Sequence, residues 1–180
     1  MIQPLRILTL STLFPNAAAP NFGIFVERQT AELASRPEAG VTVVNPVGIP
    51  AWPLSKLPQY QVLEALAEHE EWRGLDVHRP RFRLIPKIGG AGNPRRIADA
   101  TLSLVKELHK EAPFDLIDAE FFYPDGPAAM RLAAALDIPF TIKARGADIH
   151  HWGSEPECRA QILQAAEKAS ALLAVSEALK

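Results

Sequence analysis

The densest group of chemically useful side chains in this sequence lies between positions 143 and 153. Five polar or turn-forming residues follow one short apolar run there: Arg145, Gly146, Asp148, His150 and His151. An arginine could clamp a phosphate or a sugar, and a glycine lets the backbone turn sharply. Consecutive histidines seldom converge on one ion, so we expect no bound metal. A solvated loop with an Asp–Arg pair is the alternative interpretation.

A second group follows the apolar run Leu116–Ala119. Glu120 comes directly after this run, and a Pro-Asp-Gly turn containing Asp125 precedes the next helical pattern. Carboxylates at the end of a strand are placed to bind substrate hydroxyls or to transfer protons. The alternative for Asp125 is a capping role at the start of the helix, with the aromatic residues of the segment packing the loop.

A third segment, Phe14–Gly23, joins a strand pattern to a helix pattern that extends to Leu33. It has one glycine at the start of the helix and lacks G-x-G-x-x-G, which argues against dinucleotide binding. The free N–H groups of a helix start suit a phosphate, so Gly23 is a candidate phosphate contact. A plain strand-to-helix turn is the alternative.

Short apolar runs alternate with amphipathic segments along most of the chain. The runs predict strands at 5–10, 41–44, 75–82, 116–119, 140–143 and 171–175. Helices are expected at about 23–35, from 93 to about 108, around 129–136 and around 162–169. The Pro-rich region 46–74 is irregular, with a short helix expected within 61–71.

This alternation predicts a doubly wound α/β domain with a parallel sheet covered on both faces. In such sheets ligands bind beyond the carboxyl ends of the strands. The candidate ligand-binding segments are therefore those that leave strands, namely the loops at 11–22, 120–126 and 144–153 together with Ser176. They contain the candidates described above except Gly23, which directly follows the first of them.

Composition narrows the functional classes. The chain has 180 residues, 48% hydrophobic content and a formal net charge of −2, which does not favour nucleic acid as a partner. It has a single cysteine, no signal-peptide pattern and no apolar run of the roughly 18 residues that a membrane span needs. We therefore expect a soluble, cytoplasmic domain.

The segment 73–96 is locally basic, with seven Arg or Lys residues and one acid. It follows a loop that carries Trp52 and Trp72. Basic residues near an anionic surface contribute about 1 kcal/mol each, so this face could hold the protein peripherally at the inner membrane face. The alternative is an ordinary strand whose Arg79, Arg81 and Arg83 point outward.

Four segments in order resemble one known family: Phe14–Leu33, Phe114–Ala129, Phe140–Ile149 and Ala171–Ser176. Together they look like the N-terminal domain of a GT-B glycosyltransferase of the retaining, nucleotide-sugar-dependent family 4. The resemblance implies a Rossmann-like acceptor-side domain, and it implies a nucleotide-sugar as co-substrate with no cofactor or metal. The acceptor would be a glycan, a lipid-linked molecule or a small molecule.

The resemblance also suggests roles for individual residues. Arg145 stands where many relatives carry a histidine near the donor sugar, and Asp148 follows in the same motif, so these two are the catalytic candidates. The substrate-binding candidates are Gly23, Glu120, Asp125, Gly146, His150 and Ser176. Gly23 would face the donor phosphates, and Ser176 would begin a helix at the cleft.

The chain departs from the family pattern in two places. Arg145 replaces the commoner histidine, and the first loop has one glycine where relatives have a pair. The paired-Glu motif of the donor-binding domain is absent, and the sequence stops at Lys180, one turn into an expected helix. We therefore expect residues 1–180 to be an acceptor-side domain that is inactive without its C-terminal partner domain. A non-catalytic sugar- or nucleotide-binding module is the alternative, whereas an α/β hydrolase would need G-x-S-x-G.

Overall fold

A computed structural model describes residues 3–87 and 90–179. The strands are β1 Leu5–Leu10, β2 Ala39–Val44, β3 Val47–Pro50, β4 His69–Trp72, β5 Leu75–His78, β6 Arg81–Leu84, β7 Leu116–Ala119, β8 Phe140–Ala144 and β9 Ala171–Ala174. The α-helices are α1 Ile24–Ala34, α2 Pro58–Glu64, α3 Asn93–Glu111, α4 Asp125–Leu136, α5 Ala147–His150 and α6 Pro156–Lys168.

Seven of these strands form the main sheet, in the order β4-β5-β2-β1-β7-β8-β9. All neighbours pair in parallel except β4, which is antiparallel to β5 at one edge. Strands β3 and β6 form a separate parallel pair. The predicted α/β fold with a mostly parallel, Rossmann-like sheet is therefore confirmed.

Helices cover both faces of the sheet. On one face α3, α4 and α6 pack with β1, β7 and β8 into a large apolar cluster that includes Leu8, Ile97, Leu132 and Ile142. A smaller cluster around Val26 of α1 includes Val43 and Val77 on the strands. Strand β2 contributes to both clusters, through Val44 and Val43. In β7 and β8 the apolar residues of the large cluster alternate with polar ones, among them Asp118 and Lys143.

The predicted strand 75–82 is wrong in one respect, since it is two strands in two sheets. Pro80 has no N–H to continue the ladder, and its carbonyl instead accepts a hydrogen bond from Val47 (2.9 Å) at the start of the β3–β6 pair. The expected helix at 61–71 begins earlier, at Pro58, and ends at Glu64. Strand β4 follows it, with a polar sequence that gives little strand signal.

The ends of other elements agree more closely with the sequence. Helix α3 starts at Asn93, so Asn93 is its first residue and Gly92 is its N-cap, without a side-chain cap. After β9, residues Glu177–Leu179 form a 3₁₀ turn, and Lys180 lies outside the described residues. Among the residues described, no helix is both long and apolar enough to cross a bilayer.

Candidate functional site

The carboxyl ends of β1, β7, β8 and β9 meet along one edge of the sheet. Leu10 pairs with Ala119, Ala119 with Ile142, and Ala144 with Ala174. The loops that follow these strands therefore emerge side by side. They bring together the three polar segments on which the sequence analysis concentrated, as expected for a parallel α/β sheet.

Gly23 is the N-cap of α1 and has a φ of +70°. A Cβ atom at this position would lie 2.6 Å from the carbonyl of Leu13 and 2.9 Å from the nitrogen of Phe14. Both the left-handed backbone and this close approach require glycine. The helix begins without a side-chain cap. Backbone carbonyls already accept from its first turn: Ile24 donates to Asn21 (3.4 Å), and Val26 and Glu27 donate to Gly23 (2.9 and 3.3 Å).

Glu120 lies at the centre of a buried charge network. Its side chain is 1% exposed and pairs with Nζ of Lys143 at 2.7 Å and with the guanidinium of Arg145. Lys143 also pairs with Asp118. Two cations therefore balance two carboxylates along the ends of β7 and β8, and the network is formally neutral.

Arg145 is held on several sides. Its Nε donates to the backbone carbonyl of Glu120 (3.1 Å), and one of its terminal nitrogens donates to Oε1 of Gln29 (2.6 Å). The guanidinium also lies over the rings of Phe25 and Phe121, at 5.1 and 6.0 Å from their centroids. The alternative interpretation, an Asp–Arg pair within the loop, is wrong at the side-chain level. The guanidinium pairs with Glu120, and only the backbone N–H of Arg145 donates to Asp148.

Asp148 joins two strand-exit loops through backbone hydrogen bonds. One oxygen accepts from the N–H of Phe122 (2.7 Å), and the other accepts from the N–H groups of Gly146 (2.8 Å) and Arg145 (3.1 Å). Gly146 has a φ of +111°, which a glycine accommodates without strain. Since Asp148 is 2% exposed and its acceptors are occupied, its geometry fits a positioning role.

Asp125 is the first residue of α4 and is fully buried. It does not cap its helix. Its carboxylate accepts hydrogen bonds from the hydroxyl (2.8 Å) and the backbone N–H (3.1 Å) of Thr12, in the loop after β1. Burial raises the pKa of Asp125 to about 8, although the Thr12 hydrogen bonds oppose this shift. Asp125 thus fixes the loop that leads to Gly23.

The remaining candidates are more exposed. His150 is the last residue of α5, and both His150 and His151 are exposed. Among the described residues, neither belongs to a group of three side chains that could bind a metal ion. Ser176 is exposed just after the edge strand β9, where the N–H of the preceding residue, Val175, donates to the carbonyl of Ala144. Ser176 therefore lies on the same edge of the sheet as Arg145.

A cavity of about 230 Å³ lies beyond the ends of β1 and β2. Polar side chains of Thr12, Asn16 and Asn45 line one part of it. The rest of the lining is mostly apolar or aromatic: Phe14, Phe22, Pro46, Val47, Gly48, Tyr60, Leu63, Phe82 and Leu84. A larger cavity of about 430 Å³ is lined by α1 and by the charge network of Asp118, Glu120 and Lys143. The smaller one opens at the carboxyl edge, where ligands of this fold bind.

Sequence reasoning missed Arg79, which supports this cavity. Its side chain is fully buried and donates to Asn45 (2.5 Å), to the carbonyl of Pro15 (2.9 Å) and to Glu70 (2.7 Å). The alternative of an outward-facing Arg79 is therefore wrong. The sequence signal that could have indicated this is Pro80, which directly follows Arg79 and interrupts the strand in which Arg79, Arg81 and Arg83 would alternate outward.

Some of the other basic side chains of 73–96 also have partners within the protein. Arg73 pairs with Glu27 at 3.3 Å, and Arg81 donates to two backbone carbonyls. Arg83 and Lys87 are exposed. The stretch is thus less available to an anionic surface than its sequence charge indicates.

No protein-family model matches the chain. The chain is 30% identical over 179 residues to TuaC of Bacillus subtilis (strain 168), a protein named as a teichuronic acid biosynthesis glycosyltransferase. The similar segment covers 98% of this chain and 45% of TuaC. The chain therefore spans about half the length of this relative.

Solved structures show the same fold at low sequence identity. A sucrose-phosphate synthase structure from Thermosynechococcus elongatus matches with a TM-score of 0.60 and 15% identity, over 96% of this chain and 77% of that one. The UDP-GlcNAc 2-epimerase of Methanocaldococcus jannaschii matches with a TM-score of 0.52 and 11% identity, over 97% and 40%. The resemblance to the N-terminal, Rossmann-like domain of GT-B proteins, inferred from four sequence segments, is thereby confirmed at the level of the fold.

Proposed function

We propose that this chain is the acceptor-side domain of a retaining glycosyltransferase. The whole enzyme would move a sugar from a nucleotide-sugar to a glycan, a lipid-linked molecule or a small-molecule acceptor. The donor would be bound chiefly by a C-terminal domain. The similarity to TuaC along nearly the whole chain supports a glycosyltransferase, and fold likeness alone would not, since one fold hosts many activities.

The cavity beyond β1 and β2 is the observation that carries the acceptor-side assignment. Asn16 and Asn45 offer amide groups that can donate to and accept from sugar hydroxyls. Tyr60 and Phe82 supply aromatic surface that suits the apolar face of a sugar ring or a lipid-like tail. An acceptor bound there would point its reactive hydroxyl toward the edge that holds Gly23 and Arg145.

The donor diphosphate would meet the first turn of α1. The positive end of the helix dipole after Gly23 favours a phosphate there. Arg145 adds a nearby cation, but Glu120 already balances much of its charge. This domain is therefore expected to guide the donor phosphates, while most of the donor affinity comes from the second domain.

The chemistry requires both substrates to be held at one edge. Transfer with retention would place the acceptor hydroxyl on the same face of the sugar as the departing diphosphate. We assign no protein nucleophile, and we expect positioning and charge stabilisation to provide most of the rate. Asp148 and Asp125 would contribute by fixing the loops on which the substrates rest.

The test is a nucleotide-sugar screen with the full-length protein and candidate acceptors. The anomeric configuration of the product, read by NMR, would distinguish retention from inversion. Leu63→Ala in the cavity should raise the KM for the acceptor severalfold with little change in the KM for the donor. Leu163→Ala removes a leucine that is 53% exposed on α6 and serves as the matched control.

Two other activities remain as alternatives, and the same screen separates them. The epimerase structures share the fold, so an isomerase would convert a nucleotide-sugar without any acceptor. A non-catalytic binding module would bind a sugar or nucleotide and show no turnover. Either result with the full-length protein would contradict the transferase proposal.

A further inference from the structure

Two histidines and an aspartate share one face of the β4–β5 hairpin, at the edge of the main sheet. The strands are antiparallel, and His69 lies directly opposite His78. Asp76 precedes His78 by two residues, so both side chains leave the same face of β5. Three side chains from two adjacent strands therefore converge on one point.

The distances between their polar atoms are short. Nε2 of His69 lies 2.7 Å and Nε2 of His78 lies 3.4 Å from the same Oδ1 atom of Asp76. The imidazole rings stack with centroids 4.3 Å apart and planes 9° apart. One ligand atom of each residue lies within 4.8 Å of the others. Ligands about 2 Å from a tetrahedral ion lie roughly 3–3.5 Å apart, so small side-chain rotations would make room for one.

The donor atoms match a particular class of ion. Two imidazole nitrogens and one carboxylate oxygen suit Zn²⁺ and similar transition metals, whereas Mg²⁺ and Ca²⁺ prefer oxygen ligands.

The surroundings allow an ion to enter and to complete its coordination. The side chains of His69 and Asp76 are 62% and 46% exposed, so solvent reaches the site without opening the fold. In the strand register Glu71 lies opposite Asp76, and its side chain leaves the same face of the hairpin as that of His69. A water molecule or the carboxylate of Glu71 can provide the fourth ligand.

We propose that His69, Asp76 and His78 form a binding site for one divalent transition-metal ion of the Zn²⁺ class. The ion would tie the edge strand β4 to β5. Glu70 of β4 binds Arg79, and Arg79 binds the carbonyl of Pro15 in the loop after β1. The site therefore has a structural role: it braces the hairpin that supports this loop. This metal-site proposal does not depend on the proposed function.

The experiment is a Zn²⁺ titration of the full-length protein, purified without a histidine tag and stripped of metal. Calorimetry should show one equivalent bound, and Co²⁺ should give the visible absorption of a low-coordinate site. Zn²⁺ should also raise the melting temperature, because it binds the folded state. Mg²⁺ at the same concentration should have none of these effects.

Variants assign the site. His69→Ala, His78→Ala and Asp76→Asn should each weaken Zn²⁺ binding at least tenfold. His150→Ala removes an exposed histidine elsewhere and should bind as the wild type does. Absence of one-to-one binding, or binding that survives His69→Ala, would overturn the proposal. Because His69 is mostly exposed, this variant should keep its circular dichroism spectrum even if His78→Ala does not fold.

Discussion

We propose two roles for Arg145, one in catalysis and one in stability, and a single substitution would disturb both. Its position at the strand exit favours a role in stabilising charge on a departing diphosphate, which is worth about 2–4 kcal/mol in rate by analogy with one oxyanion donor. Its contacts with Glu120, Gln29 and two aromatic rings also stabilise the fold. The structure adds a stability cost that the sequence did not predict.

A double-mutant cycle separates these tasks. We expect Arg145→Ala to lower the free energy of unfolding by about 3 kcal/mol, because it breaks a buried ion pair. Glu120→Gln combined with Arg145→Ala should lose less than the sum of the two single changes, by about 1–2 kcal/mol. Denaturant unfolding measures this coupling. If activity remains normal in folded Arg145→Ala enzyme, the residue is purely structural.

Asp125 predicts a pH dependence of stability with a definite sign. Its pKa is about 8 in the folded protein, against an ordinary value of 3.8. The folded state therefore holds the proton more tightly, and this contribution to stability is complete below about pH 4 and is lost as pH rises toward 8. The Asn side chain of Asp125→Asn stays neutral, so the variant should lose less stability across this window.

The measurement is denaturant unfolding of wild type and Asp125→Asn at pH 5 and at pH 8. The difference between the two proteins should change by about 1 kcal/mol for each pH unit in favour of the variant. Thr12→Val is a useful companion, since it removes one hydrogen bond to Asp125 without changing the charge. Parallel pH profiles for wild type and Asp125→Asn would show that Asp125 does not titrate in this range.

At the scale of elements, strands β3 and β6 place an apolar loop beside a basic segment. Both strands end together, since Pro50 pairs with Leu84. Trp52, Leu54 and Val62, which lie beyond β3, are 77%, 45% and 50% exposed. Exposed Lys87 follows β6. Exposed aromatic and basic side chains of this kind are typical of surfaces that rest on anionic membranes.

Vesicle co-sedimentation tests this surface. The full-length protein should bind anionic vesicles at low salt, and added salt should release it because it screens the basic side chains. Trp52→Ala and Lys87→Glu should each reduce the bound fraction severalfold. Leu172→Ala changes an apolar residue on β9 that is 52% exposed and is the control. Equal recovery in the supernatant with neutral and anionic vesicles would contradict membrane docking.

The elements also show what the sequence could predict. Long apolar runs such as Leu5–Leu10 and the helical pattern of α3 were predictable because burial of a whole face sets their periodicity. Strand β4 was not, since His-Glu-Glu-Trp has no apolar alternation and depends on pairing with β5. The fold class predicted from the sequence was enough to place Glu120 and Arg145 at one edge of the sheet. The ion pair between them was not predictable, because side-chain partners across strands depend on the register of β7 and β8.

At the scale of the molecule, we propose that the described domain forms one half of a cleft. The proposed acceptor cavity, the start of α1 and the network around Glu120 lie along the same edge of the sheet. The relative TuaC is about twice as long as the matched segment. Catalysis by two substrates gains mainly from holding both in one geometry, and this needs groups on each side of the cleft.

We therefore expect residues 1–180 alone to show no measurable sugar transfer, whereas the full-length protein turns over. The isolated segment should still bind an acceptor weakly through its cavity, and Leu63→Ala should weaken this binding severalfold. Nucleotide-sugar consumption and product formation, measured for both proteins at equal concentration, provide the test. Efficient transfer by residues 1–180 would contradict the two-domain proposal, because the acceptor side would then suffice to bind and activate the donor.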